Sequence, residues 1–288
     1  MSNASDEPVA SMLWRLARPG LLAGAFLLYA LGMGVAVFLA KPLDWGTAWL
    51  GLGCVWMWLL SSGYLKAFYD GEQAGRQRRT LLLVALLMLS VGAALTGLLF
   101  VRGQMQPVPL LFLGLGFLLS FFYGAPPLRL VYSGYGELAE TVLLTNITPA
   151  LAFVLQVGEV HRLLPMLTFP LTALFLAMRL ADSLQSYATD LKAERRTLMV
   201  RMGWARGMVL HNILVLSAYV LLGAAALFGM PRALAWPGFL TLPVGLYQVW
   251  QMVQIGQGAP TRWQVLRLTA ASSTFVTAYL LAFACWTG

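Results

Sequence analysis

The stretch LLPMLTFPLTALFLAMRLADSLQSYATDLKAERRTL, residues 163–198, sets the class of the whole chain. Its first half, Leu163–Leu180, is an apolar run close to the ~20 residues a helix needs to cross a bilayer. Carboxylates follow at the edge of that run, Asp182 and Asp190, and then the basic residues Lys192, Arg195 and Arg196. On a helical continuation, Asp182, Ser186 and Asp190 stand at i, i+4 and i+8 and share one face. The stretch therefore reads as a membrane helix that surfaces into water.

The same pattern recurs on either side. Apolar blocks lie at Leu21–Ala40, Gly46–Leu65, Leu81–Val101, Val108–Tyr123 and Leu138–Val157. Others follow at Gly207–Phe228, Trp236–Val253 and Leu268–Trp286. With Leu163–Leu180 they predict an all-α polytopic membrane protein of about nine transmembrane helices. Composition agrees, with 10% charged residues, 59% hydrophobic residues and a mean hydropathy of +0.75. A water-soluble surface needs roughly 25% charged residues, so a soluble globule is excluded.

Lys and Arg set the orientation. With the N-terminus placed in the cytoplasm, fourteen fall on the cytoplasmic side and four (Lys41, Arg102, Arg162, Arg232) on the other. Arg179 remains inside the sixth span. The net charge of +8 is thus a topology signal spread along a membrane interface, and nucleic acid is not an expected partner. The first residues carry Asp6 and Glu7 and no basic n-region, so no cleavable leader is expected. The layout that follows is a cytoplasmic segment, 1–19, and one transmembrane domain, 20–288, in a bacterial cytoplasmic (inner) membrane. Cys54 and Cys285 lie inside apolar spans and read as small buried residues. His161 and His211 are isolated.

Polar residues gather in two loops on the same side. The first runs from Lys66 through Asp70, Glu72 and Arg76 to Arg78-Arg79-Thr80-Leu81. The second is the stretch quoted above, which ends in Arg195-Arg196-Thr197-Leu198. The shared order of carboxylates, basic cluster and Arg-Arg-Thr-Leu echoes two related halves. Arg179 and Asp182 are one turn apart and predict an intrahelical pair, while Glu194 is expected to pair with neighbouring bases. Glu140 is expected to stay at the interface. A third segment, Phe122-Tyr123-Gly124-Ala125-Pro126-Pro127-Leu128-Arg129-Leu130, must end the fourth helix at its prolines. Gly134 and Gly136 then permit a tight return into the membrane.

These pieces together resemble the UbiA superfamily of intramembrane prenyltransferases, in its 1,4-dihydroxy-2-naphthoate-prenyltransferase-like branch. Arg18-Pro19 resembles the family's entry motif. Tyr123-Gly-Ala-Pro-Pro-Leu-Arg-Leu with Gly134-Tyr-Gly-Glu137 resembles its loop after the fourth helix. Arg195-Arg196-Thr197-Leu198 with Val200-Arg201-Met202-Gly203 resembles its Lys-Arg-Thr-Leu-x-Val-Arg-x-Gly run. The resemblance implies helices around a central lipid-accessible cavity. It also implies transfer of a prenyl chain from its diphosphate to an aromatic or lipidic acceptor, with Mg²⁺ held on the diphosphate by two aspartate-rich motifs.

The chain departs from that pattern where the metal would bind. In the first motif Lys66 replaces the Asn, Ala67 the first Asp and Ala74 the last, which leaves Asp70 with Glu72 nearby. The second motif reads Ser186-x-x-x-Asp190, with Asp182 one turn earlier. The resemblance thus assigns catalysis to Asp70, Asp182 and Asp190, and any magnesium to Asp70, Glu72 and Asp190. Lys66, Arg76, Arg129, Lys192, Arg195 and Arg196 are the candidate diphosphate ligands, an anion clamp poor in metal. Plain positive-inside anchoring accounts for about half of such arginines. Two other readings stay open. One is a UbiA-type terpene cyclase or a protonation-initiated isomerase with Asp70 or Asp182 as acid. The other is a non-catalytic relative that binds isoprenoid or membrane lipids.

Overall fold

The computed structural model describes residues 8–71, 75–103, 106–192 and 195–288, and every regular element among them is helical. The first half holds α1 (Val9–Ala17), α2 (Pro19–Phe38), α3 (Trp45–Asp70), α4 (Gly75–Val101) and α5 (Pro107–Gly124). Then come α6 (Gly136–Val142), one π-helical turn (Leu143–Ile147), α7 (Thr148–Val157) and α8 (Leu163–Lys192). The remainder is α9 (Leu198–Met202), α10 (Trp204–Leu227), α11 (Arg232–Phe239), α12 (Leu242–Gly256) and α13 (Trp263–Thr287).

Among the described residues, eight helical segments are long and apolar enough to span a bilayer. The apolar block at 236–253 is broken instead, into α11 and α12. Pro237 and Pro243 flank the break, and each removes a backbone donor. Thr241 stands in the gap, where its hydroxyl meets Gly238 O (2.9 Å), Thr277 Oγ1 (2.6 Å) and Tyr219 Oη (3.2 Å). Irregular backbone survives inside a membrane when protein groups satisfy it.

Burial separates the inside from the lipid side. The continuous helix 136–157 is the most enclosed segment, with Leu144, Leu151, Ala152 and Phe153 fully buried. By contrast α4 turns Leu83, Leu86, Leu87, Leu98 and Phe100 outward. An exposed apolar belt of this extent is suited to hydrocarbon. The protein is an integral membrane protein.

The two ends of the bundle differ. At one end Asp44 caps α3, accepting from Gly46 N (2.9 Å) and Thr47 Oγ1 (2.6 Å), and faces Arg102 Nη1 at 3.5 Å. Its backbone N–H donates to Gln156 Oε1 (2.7 Å). The opposite end gathers the C-terminal turns of α3, α5 and α8 with α6 and α9, and there the polar groups converge. The continuation of α8 through Lys192 puts Asp182, Ser186 and Asp190 along one cavity wall, as their spacing predicts. The Arg-Arg-Thr-Leu echo does not carry into local structure. Thr80 lies inside α4 and donates to Arg76 O, whereas Thr197 caps α9 and accepts from Val200 N (3.3 Å).

Candidate functional site

Helix α5 stops at Gly124 because Pro126 and Pro127 cannot continue it. That glycine lies against the backbone of α3, and a Cβ built there would stand 2.6 Å from Lys66 N. Only a residue without a side chain lets the two helices meet so closely, and the contact fixes Lys66 at the mouth of the bundle. From Gly124 the chain passes through a short 3₁₀ turn, Leu130–Tyr132, before α6 begins.

Two adjoining cavities open at this end. One, of about 250 Å³, is lined by Lys66, Tyr132, Asp182, Ser186, Asp190 and Arg195, among others. The second, of about 370 Å³, is lined by Arg15, Arg18, Lys66, Asp70, Arg179 and Arg195 with smaller groups. Lys66, Tyr123, Arg179 and Arg195 belong to both and form their common wall. A third cavity, of about 690 Å³, lies beside Arg18 and Arg179. Leu21, Met178, Leu268, Ala271 and Phe275 give it apolar walls from α2, α8 and α13.

A chain of ion pairs runs beneath the cavities. Arg18 Nη1 lies 2.5 Å from Glu140 Oε1, and Arg179 Nε lies 3.1 Å from Glu140 Oε2 without hydrogen-bond alignment. Arg179 continues to Asp182 at 3.5 Å, the intrahelical pair their spacing predicts, and Arg267 reaches the other Asp182 oxygen at 3.4 Å. Glu140 is only 4% exposed, so the protein itself encloses the carboxylate that its position places near the interface. An ionised group in a membrane interior needs partners, and two arginines supply them. Arg18 takes a left-handed conformation (φ 51°) at the junction of α1 and α2.

Asp70, at the C-terminus of α3, accepts from the Tyr132 hydroxyl and lies 3.6 Å from Arg129 Nη2. Arg129 also donates to Tyr69 O (3.2 Å) and stacks over the Tyr132 ring at 4.8 Å. Burial, and then the bond to Asp70, push the Tyr132 phenol above its ordinary range. Asp190 accepts from Ser186 Oγ (2.6 Å) and faces Arg195 Nη1 at 4.0 Å.

A second set of contacts joins the loop after α5 to the segment after α8. Glu137 accepts from Ser183 Oγ (3.2 Å) and from Leu198 N (3.3 Å), at the start of α9. Arg201 donates to Ser133 O (2.8 Å) and lies over the Tyr135 ring at 5.1 Å. The Gly-Tyr-Gly-Glu and Arg-Thr-Leu motifs, about sixty residues apart in sequence, are therefore two halves of one local structure.

Of the residues singled out from sequence, Lys66, Asp70, Asp182, Asp190 and Arg195 line the cavities, and Arg129 braces Asp70. Arg76, Lys192 and Arg196 are exposed and line neither of the first two cavities. Glu72, Ala74 and Glu194 lie outside the described residues, as do Asp6 and Glu7. Glu137, Glu140 and Arg179 were not among the expected site residues. Their signal was a charge count. Arg179 and Glu140 both sit within apolar blocks, and each demands an opposite charge at depth. Cys54 and Cys285 are buried free thiols, and His211 is buried against Gln248 (2.8 Å).

Among the described residues, no group of three His, Cys, Asp or Glu side chains is placed to hold a metal ion. The carboxylates at the mouth are committed elsewhere. Asp182 has a guanidinium on each oxygen, Asp190 a hydroxyl and a guanidinium, and Asp70 a phenol and a guanidinium. Magnesium favours an octahedral shell of hard oxygens. Among the described residues, which leave out Glu72, this donor set does not fit a site in which several carboxylates hold that ion.

The arrangement defines a polytopic membrane protein with a charged double cavity at one end and an apolar cavity beside it. No protein-family model matches the chain. It is 23% identical over 287 residues to 1,4-dihydroxy-2-naphthoate octaprenyltransferase of Bacillus subtilis (strain 168), covering 93% of this chain and 90% of the relative. A UbiA homologue from Archaeoglobus fulgidus bound to Cd²⁺ superposes with a TM-score of 0.68 at 18% identity, over 96% of this chain and 99% of the other. The same homologue bound to GPP and Mg²⁺ gives 0.64 at 16%, again over 96% and 99%. A structure of digeranylgeranylglyceryl phosphate synthase gives 0.65 at 12%, over 96% and 97%. The chain thus shares the fold of these UbiA homologues and is similar in sequence to the octaprenyltransferase.

Proposed function

We propose that the protein is a prenyltransferase that moves an isoprenoid chain from its diphosphate to an aromatic or lipidic acceptor. The observation that carries this reading is the contact between two unlike cavities. Arg18 and Arg179 line both the 370 Å³ cationic cavity and the 690 Å³ apolar one, so a ligand with an anionic head and a greasy tail fits across them. The B. subtilis relative is named as an octaprenyltransferase, and the A. fulgidus homologue was solved with GPP or DMAPP, which supports the same substrate class.

In the reaction the allylic C–O bond breaks and its electron pair leaves with the diphosphate. The acceptor's nucleophilic carbon or oxygen bonds to the allylic carbon and loses its proton. Lys66, Arg195 and Arg18 would face the developing charge on the leaving group, and fixed charges in a site of reduced dielectric stabilise it strongly. Asp182 would hold Arg179, while Asp190 would orient Ser186 and Arg195 and Asp70 would orient Tyr132 and Arg129. In this reading Arg76, Lys192 and Arg196 anchor the protein to the cytoplasmic lipid surface of a bacterial inner membrane, with the N-terminus inside.

The test is turnover of a panel of prenyl diphosphates, from C5 to C40, by protein in nanodiscs, with and without aromatic and glyceryl acceptors. Acceptor-dependent release of diphosphate, with a prenylated product by mass spectrometry, is the expected result. Hydrocarbon formed without acceptor would replace this reading by a cyclase. Copurified lipid with no turnover of any donor would replace it by a binding protein.

A further inference from the structure

We propose that the diphosphate site works with resident cations in place of a divalent metal, and that Lys66 supplies the central positive charge. The inference rests on the reading above only in taking a diphosphate as the ligand.

Among the described residues, the walls of the second cavity carry Arg15, Arg18, Lys66, Arg179 and Arg195 together with the carboxylate Asp70. Glu140, behind the wall, balances part of the Arg18 and Arg179 charge and holds both guanidiniums in place. Asp182 and Asp190 face Arg179 and Arg195, and among the described residues Lys66 adds a cation outside these ion pairs to the wall of a cavity of about 370 Å³. Such a cavity repels a divalent cation and attracts a multiply charged anion.

The placement of Lys66 sharpens the point. It lies one turn before Asp70 on α3, on the same face, where an ion pair would be the ordinary outcome. Asp70 is instead taken by Tyr132 and Arg129. Among the described residues the Lys66 ammonium makes no ion pair or hydrogen bond, although it lines both polar cavities. Its backbone is clamped by the close approach of Gly124. The fold thus holds an ammonium with three donors at the point both cavities share, near Asp70 but outside ion-pair distance of it. Phosphate oxygens are natural acceptors for those donors, and lysine serves them as a point charge.

The test is binding of inorganic pyrophosphate to the full-length protein in nanodiscs, by isothermal titration calorimetry, in EDTA and in excess Mg²⁺. The expected result is an affinity in EDTA within about threefold of that in Mg²⁺, and one that weakens as salt screens the charges. Lys66→Met should weaken binding in EDTA about tenfold or more, and Lys66→Arg should largely restore it. Binding seen only with Mg²⁺ would overturn the inference and leave prenyl transfer standing. Wild-type affinity in Lys66→Met would overturn the role of Lys66. If Lys66→Met fails to fold, the wild-type comparison and Lys66→Arg still decide. No pyrophosphate binding in either buffer would overturn the anion site itself, whatever the transfer assay shows.

Discussion

Glu140→Gln removes one negative charge from between two buried or half-buried guanidiniums and changes little else in shape. In the native protein the carboxylate lies 2.5 Å from Arg18 and 3.1 Å from Arg179, at 4% exposure. Breaking a buried pair by removing one partner costs about 3–5 kcal/mol, because the remaining charge stays buried and uncompensated. Arg179 keeps Asp182 at 3.5 Å, and Arg18 is 37% exposed and can reach water. Both facts favour the lower end, about 3 kcal/mol. At roughly 2–4 °C per kcal/mol for a chain of this order, the midpoint should fall by about 6–12 °C. Thermal unfolding in a mild detergent, followed by loss of monodisperse protein, measures it. Arg179→Met on top of Glu140→Gln should cost less than the two single changes summed, since it deletes the stranded charge. A midpoint shift under about 2 °C for Glu140→Gln, or additive losses in the double variant, would refute the view that Glu140 anchors the site.

Other changes should behave according to their surroundings. Gly124→Val puts atoms 2.6 Å from the Lys66 backbone, and overpacking of this kind should cost about 1–3 kcal/mol or more and weaken pyrophosphate binding by displacing Lys66. Glu137→Gln, which disturbs the contact to Leu198 N, should lower stability by about 1–2 kcal/mol, read as earlier proteolysis around Thr197. Thr197→Ala removes the α9 cap and should cost about 1 kcal/mol by the same readout. Arg267→Met should matter little, within about 0.5 kcal/mol in thermal unfolding, because that arginine is 58% exposed.

The membrane architecture was legible because its signal is coarse. Runs of apolar residues and an uneven spread of Lys and Arg need no knowledge of packing. The break within the block 236–253 was not legible, because hydropathy averages over Thr241 and does not register that Pro237 and Pro243 interrupt the backbone ladder around it. The acidic face of α8 was legible from period alone. The Arg18–Glu140–Arg179 chain was less so, because its members come from the α1–α2 junction and two separate helices, and only the fold brings them together. The joint between Glu137 and Leu198 was hidden for the same reason, although both motifs stood out as strings.

At about 1.5 Å per residue, the 30 residues of α8 measure roughly 45 Å, against an oil layer of about 30 Å. The surplus places the exposed Gln185, Thr189 and Lys192 toward lipid headgroups and bulk solvent, while Arg179 sits roughly two to four turns further back along the helix. A single rod therefore crosses three media, and the worth of a charge changes along it. Near the outer tip a side chain can trade partners with water at small cost, whereas at the depth of Arg179 the partner has to be built in. Depth along that rod sorts the ionisable groups into those that can be lent to a guest and those the scaffold must keep for itself.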